Sequence, residues 1–258
     1  MSPTELQLQI AANVATVRQR IRQATIRAGR SETDVKLIAV TKYASTTDGV
    51  VEALLASRCS DLGEARPQTL QEKAEHFVGR FAPPPPPLSE GVGTGEAIRW
   101  HLIGPLQRNK VRKILPLVSL IHSVDSVRLA EAVNRIAAEL SEETGTLVRP
   151  CCLLEVAVSN DAAKHGFDAD ELPAVLDQLA AMRYVSFHGL MGMAGLEADD
   201  AETRRQFAAL RRLAEFLRER GTPDNVSLSE LSMGMSGDFE IAIEEGATLV
   251  RIGSLLYP

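Results

Sequence analysis

Leu37-Ile38-Ala39-Val40-Thr41-Lys42-Tyr43 is an apolar run that ends on a lone lysine. A continuous run of about four to eight apolar residues fits a strand buried on both faces, as in a parallel sheet. A lysine leaving such a strand stands where the apolar interior meets the ligand-binding end of the sheet. Partial desolvation there would favour the neutral, nucleophilic amine. A surface lysine that merely ends a strand is the competing reading, and the rest of the chain decides between them.

Outward from that strand the pattern alternates. Upstream, Leu6, Ile10, Val14, Val17 and Ile21 mark one face of a helix over 4–29, with Arg18, Arg20, Arg22, Arg27 and Arg30 spread around it as a solvated face. Downstream, the sequence predicts a helix over Thr47–Arg58, a strand over Cys59–Glu64 and a helix over Pro67–Phe77. Strands then follow at Arg99–Gly104, Leu120–Val124, Cys151–Val158, Val185–Met191, Val226–Ser232 and Thr248–Gly253. The helices between them are expected at Leu106–Leu117, Val127–Leu140, Ala169–Met182, Ala201–Arg220 and Phe239–Glu245. Eight strands with helices between them predict an α/β fold, a single (β/α)8 TIM-type barrel spanning 1–258 as one domain. No helix follows the last strand before Pro258, so the helix over 4–29 is expected to cover the seam between strands one and eight. Pro83–Pro87 and the glycines up to Gly95 cannot join a helix or central strand. Residues 81–97 are therefore expected as an exposed insertion loop rather than an SH3-type ligand.

Composition narrows the function classes. With 45% apolar and 24% charged residues in 258, the chain is ordinary globular protein. A formal net charge of −6 offers no overall basic surface for nucleic acid or anionic lipid. Cys59, Cys151 and Cys152 match neither a disulfide framework nor a zinc spacing, because adjacent strand cysteines point to opposite faces. They are expected to be reduced core residues of a cytoplasmic protein. Met1-Ser-Pro-Thr-Glu5 lacks the basic and apolar regions of a signal peptide, and no stretch approaches the roughly 18 apolar residues of a membrane span.

In barrels, ligands sit at the C-terminal strand ends, and phosphates often bind after strands seven and eight. Leu231-Ser232-Met233-Gly234-Met235-Ser236-Gly237-Asp238 follows strand seven. Its glycines let backbone N–H groups approach an anion and its serines add hydroxyls, whereas helix capping by Ser236 or Asp238 would explain only one polar residue. In Val250-Arg251-Ile252-Gly253-Ser254, outward Val250 and Ile252 would turn Arg251 and Gly253 inward. An inward arginine needs an anion or a polar partner; a structural pair with Glu64 or Glu155 is equally open. In Trp100-His101-Leu102-Ile103-Gly104-Pro105-Leu106-Gln107-Arg108-Asn109-Lys110, His101 has no metal-ligand companions nearby and is expected to be a hydrogen-bonded core residue. No nucleotide-binding glycine loop follows a strand.

These stretches, with Ala39–Lys42, Leu62-Gly63-Glu64 and His188-Gly-Leu-Met-Gly-Met193, run in order over nearly the whole chain. On them the chain resembles the pyridoxal phosphate homeostasis protein family (the YggS family). The resemblance implies a barrel like the N-terminal domain of alanine racemase, with pyridoxal 5′-phosphate (PLP) held as a Schiff base on Lys42. It further implies Arg251 at the pyridine nitrogen, and Ser232, Gly253 and Ser254 on the phosphate with the backbone at Met233 helping. Where the family usually has asparagine after Gly-Glu, this chain has Ala65.

The resemblance also implies a cofactor-binding protein in vitamin B6 and amino-acid homeostasis without robust catalysis of its own; a monomer whose exchangeable PLP apo-enzymes can accept is expected. A PLP-dependent racemase or decarboxylase is the alternative, but racemization needs a second acid–base group, which related racemases take from an additional domain that this chain is not expected to carry. A class I aldolase would place its lysine on a later strand. For a regulatory interaction module only the proline tract speaks.

Overall fold

The computed structural model describes residues 2–78, 97–159 and 165–258. The insertion loop expected at 81–97 falls outside them except for Ala97. Eight parallel strands form a closed barrel among the described residues. They are β1 (Lys36–Val40), β2 (Asp61–Glu64), β3 (Arg99–Leu102), β4 (Leu120–Val124), β5 (Cys151–Glu155), β6 (Ser186–Met191), β7 (Val226–Ser232) and β8 (Leu249–Ile252). Each pairs with the next, and β8 closes on β1 with Ile38 beside Arg251 and Ala39 beside Ile252. Helices α1 (Pro3–Arg27), α2 (Val50–Ala56), α3 (Pro67–Phe77), α4 (Val111–Ile114), α5 (Val127–Thr144), α6 (Leu172–Leu179), α7 (Asp200–Arg220) and α8 (Phe239–Glu244) accompany it. No helix among the described residues is long and apolar enough to cross a membrane.

Helix α1 does cover the seam. A Ser2–Glu5 capping box and Pro3 in the first turn start it, and it packs against α2 and α8. Its buried stripe is the expected one, Ile10, Val14, Val17 and Ile21. The arginines do more than the solvated face expected of them. Arg20 makes a two-pronged contact with Glu240, Arg27 pairs with Glu244, and Arg30 donates to the carbonyls of Ile243 and Ala247. Half-exposed pairs contribute about 0.2–1 kcal/mol each, whereas each buried aliphatic side chain contributes about 1.5–3 kcal/mol. The apolar stripe therefore holds the helix, and the arginines orient it.

Side chains alternate between two cores. Ile38, Leu120, Cys151, Leu153, Met191 and Leu249 fill the barrel interior, while Cys152, Val250 and Ile252 join the layer between sheet and helices. The adjacent cysteines are thus free, buried and on opposite faces. Gly189 is required by packing: a Cβ there would stand 1.8 Å from the Glu230 carbonyl oxygen on β7.

Several boundaries differ from the sequence pattern for local reasons. β1 stops at Val40: a last bond to β2, from the Thr41 N–H to Gly63 O at 2.8 Å, is followed at once by a turn in which the Ala44 N–H bonds Thr41 O at 2.9 Å. The following helix begins only at Val50, since the Asp48 carboxylate accepts from the N–H groups of Ser45 and Val50 and folds 45–49 into a turn. The helix expected after β3 shrinks to a tight turn at Arg108–Lys110 followed by α4.

Candidate functional site

The exit of β1 is locked beneath Lys42. Thr41 is fully buried, and Lys73, reaching in from α3, donates to Thr41 O and to Glu64 Oε2 at 2.6 Å each. Lys73 and Glu64 are each only 1% exposed. The Tyr257 hydroxyl donates to Val40 O. Lys42 itself is exposed, with Nζ 4.9 Å from the centroid of the Tyr43 ring. Among the described residues, the partial desolvation expected of it is not observed: Lys42 lies beyond the strand, on the turn, and is exposed.

Arg251 does point into the barrel, as the alternation required. It is 4% exposed, with Nη1 donating to Ser232 Oγ at 2.6 Å and Nη2 to Gly192 O at 3.1 Å. Both acceptors are neutral. Glu64 belongs to Lys73 on the outer face, and among the described residues no carboxylate lies within ion-pair distance of Arg251. Burial draws its pKa down to about 10, opposed by the more distant charges of Asp238 and Glu155. The guanidinium therefore remains cationic at neutral pH, a buried charge with only neutral partners.

Behind Arg251 runs a row of buried polar side chains. Ser232 Oγ lies 2.8 Å from His122 Nδ1, His122 Nε2 lies 2.9 Å from His101 Nδ1, and His101 Nε2 lies 3.0 Å from Asp61 Oδ1. Arg99 closes the row with a two-pronged pair to Asp61. Burial alone would raise the Asp61 pKa, but hydrogen bonds from Arg99 and His101 outweigh it and hold the carboxyl below the usual range. His101 is the hydrogen-bonded core residue expected from its strand.

The ends of β7 and β8 lie side by side. The Met233 N–H is taken by Leu249 O at 3.2 Å, so the backbone donor expected there is already engaged in strand pairing. Gly234 follows at φ +92°, where a Cβ would come within 2.6 Å of the Ala242 side chain. Ser236 Oγ accepts the Gly253 N–H at 3.2 Å, and Asp238 Oδ1 accepts the Met235 N–H at 2.5 Å. Both side chains tie the loops together instead of capping α8, which has no side-chain cap. Among the described residues, the N–H groups of Gly234 and Ser254 and the Ser254 hydroxyl make no hydrogen bond, and Ser254 is exposed. Gly253 is half-buried.

Arg251, Ser232, Met233, Gly253 and Ser254 thus come together through the β7–β8 pairing, with Lys42 beyond the far edge of β8 across the β1 pairing. Gln107, Arg108 and Asn109 instead line a separate groove with Asp125 and Arg128. Sequence reading missed Lys73, Asp61, Arg99 and His122. For His122 a signal existed: in Leu120-Ile121-His122-Ser123-Val124 it shares the inward parity of Leu120, so burial of an imidazole was readable. Lys73 gave none, since a lysine on a helix is ordinarily solvated.

Residues 9–258 match the family model described as alanine racemase, N-terminal domain. The pyridoxal phosphate homeostasis protein of Deinococcus radiodurans is 36% identical over 245 residues, covering 95% of this chain and 99% of that protein. The PipY protein of Synechococcus elongatus, solved with PLP bound, superposes with TM-score 0.74 at 34% identity, covering 96% of this chain and all of that one. An alanine racemase of Clostridium difficile, at 17% identity and TM-score 0.68, shares the fold over 95% of this chain and 56% of its own. A family model over most of the chain and relatives 34–36% identical over most of their length show that the chain belongs to the pyridoxal phosphate homeostasis protein family.

Proposed function

We propose that this chain binds PLP at the β1, β7 and β8 ends and serves PLP homeostasis as a carrier rather than as an efficient enzyme. The observation that carries the reading is Arg251: a buried cation in a protein of net charge −6, held by neutral acceptors alone. Such a charge is costly to bury unless it serves a ligand. Beside it lie uncommitted donors at Gly234 and Ser254, suited to a phosphate. The residues present therefore fit the cofactor. Lys42 would hold it covalently, Arg251 would meet the ring nitrogen, and the turns from Ser232 to Gly234 and from Gly253 to Ser254 would form the phosphate side, with the N–H groups of Gly234 and Ser254 and the Ser254 hydroxyl as the free donors. When bound, PLP supplies an aldehyde that captures amines and a ring that accepts electron density.

The same residues argue for weak catalysis. A guanidinium is a donor without an acceptor lone pair, so at the ring nitrogen it disfavours the protonated pyridine that best accepts electrons. Among the described residues, Lys42 is the amine that the turn after β1 places at this site. A missing acid–base partner typically costs about 10²–10⁴-fold in rate. Borohydride reduction in the presence of PLP, followed by peptide mapping, should place the phosphopyridoxyl group on Lys42. Finding it mainly on Lys36 or Lys110 would refute the site. With PLP saturating, alanine and serine should show no racemization or decarboxylation near about 1 per second, the low end of ordinary enzymes; turnover at that level would favour a PLP-dependent enzyme.

A further inference from the structure

The five groups behind Arg251 admit a single consistent direction of hydrogen bonding when both imidazoles are neutral. Asp61, held as a carboxylate, can only accept, so His101 donates to it from Nε2–H. Neutral His101 then offers a lone pair at Nδ1, and His122 must fill it from Nε2–H across 2.9 Å. That leaves His122 Nδ1 as an acceptor, 2.8 Å from Ser232 Oγ, so the serine proton points down to His122. The serine oxygen is then presented to Arg251 Nη1 at 2.6 Å. Each member has one role, and each role is set by the member beneath it.

The alternative direction needs an imidazolium at His101, donating upward. Arg99 already matches Asp61, so that proton would add a cation to a closed interior that holds Arg251 without a nearby anion. Burial, followed by the neighbouring His101 and Arg251, also pushes the His122 pKa well below its usual value, with Asp61 opposing.

We propose that His122 is a positioning residue for Arg251, acting through Ser232, and that the Asp61–His101–His122 row fixes the tautomer that makes the serine an acceptor. Asp61, His101 and His122 are buried and act on the mouth only through Ser232 and Arg251. The inference deepens the PLP reading and rests on it for its effect on the cofactor, while the tautomers stand on the protein alone.

Long-range ¹H–¹⁵N NMR of the chain without cofactor should find both His101 and His122 neutral with the proton on Nε2; a proton on Nδ1 of His122 would overturn the proposal. Three substitutions then separate positioning from packing. In His122→Asn the amide oxygen can replace Nδ1 as the acceptor for Ser232, so PLP affinity and absorption maximum should stay within about threefold and a few nanometres of the parent. His122→Gln places its amide nearer the Nε2 position, and His122→Phe offers no acceptor. Both should bind PLP about tenfold more weakly, the order expected for one hydrogen bond to a charged group, with a displaced band. Near-UV circular dichroism selects variants that keep the fold. An unchanged affinity and band in a folded His122→Gln or His122→Phe would sink the idea. If the parent itself takes up no PLP, the cofactor reading fails, and the tautomer measurement still decides the row.

Discussion

Replacing Lys73 by methionine should be among the most damaging single changes outside the barrel interior. Lys73 is 1% exposed, and its ammonium lies 2.6 Å from both Glu64 Oε2 and Thr41 O. Methionine matches the length of the lysine stem, so little volume is lost. What remains is a carboxylate at 1% exposure without its cation, its remaining bonds being the Ala65 N–H at 2.9 Å and a long one from the Thr41 hydroxyl at 3.4 Å. Breaking one partner of a buried pair typically costs about 3–5 kcal/mol, and the orphaned Thr41 carbonyl adds to the same loss. At about 2–4 °C per kcal/mol for a chain of this size, the melting temperature should fall by about 6–20 °C. Urea unfolding monitored by circular dichroism measures the free energy directly. The double variant Lys73→Met/Glu64→Gln should recover part of the loss, because it removes the stranded charge but not the stranded carbonyl. Thr41 precedes Lys42, so weaker PLP capture should accompany both. A Lys73→Met protein within about 1 kcal/mol of the parent, or a double variant no better than the single, would refute the reasoning.

Arg251→Ala should weaken PLP binding by about 1.5–3 kcal/mol, the range for a hydrogen bond to a charged group, as read by spectral titration; an unchanged affinity would make Arg251 purely structural. His122 is pushed well below its usual pKa by burial, so below about pH 6.5 the unfolded chain gains a proton that the native chain refuses. Stability should therefore fall with falling pH by about 1.4 kcal/mol per unit from this group, and urea midpoints across pH 5–7 should show a shallower slope in His122→Asn. Ile10→Ala, at a fully buried position on α1, should cost about 2–5 kcal/mol, whereas Arg20→Ala should cost less than about 1 kcal/mol by the same unfolding assay.

The alternation of strands and helices, and with it the barrel, was legible from periodicity along the chain. Apolar strand runs and helical stripes are periodic signals of burial, and eight turn-bounded strands with helices between them leave few other closed solutions. The inward parity of Arg251 and the opposed faces of Cys151 and Cys152 were legible too, because side chains on a strand alternate strictly. Closure on α1 was readable for the same reason: the stripe Ile10–Ile21 needed an apolar surface, and the seam between β1 and β8 was the one lacking a helix. Which polar groups meet was not legible in this way, because it depends on contacts between elements far apart in the chain. Lys73 and Glu64 are nine residues apart yet pair only because α3 folds back over β2. Asp61, His101, His122, Ser232 and Arg251 come from five different strands, and their order in the row follows from register across the barrel interior, not from any local pattern. The exposure of Lys42 and the engaged N–H of Met233 belong to the same class: both depend on where a strand stops pairing, which is settled by hydrogen bonds from neighbouring strands rather than by the residues of the strand itself.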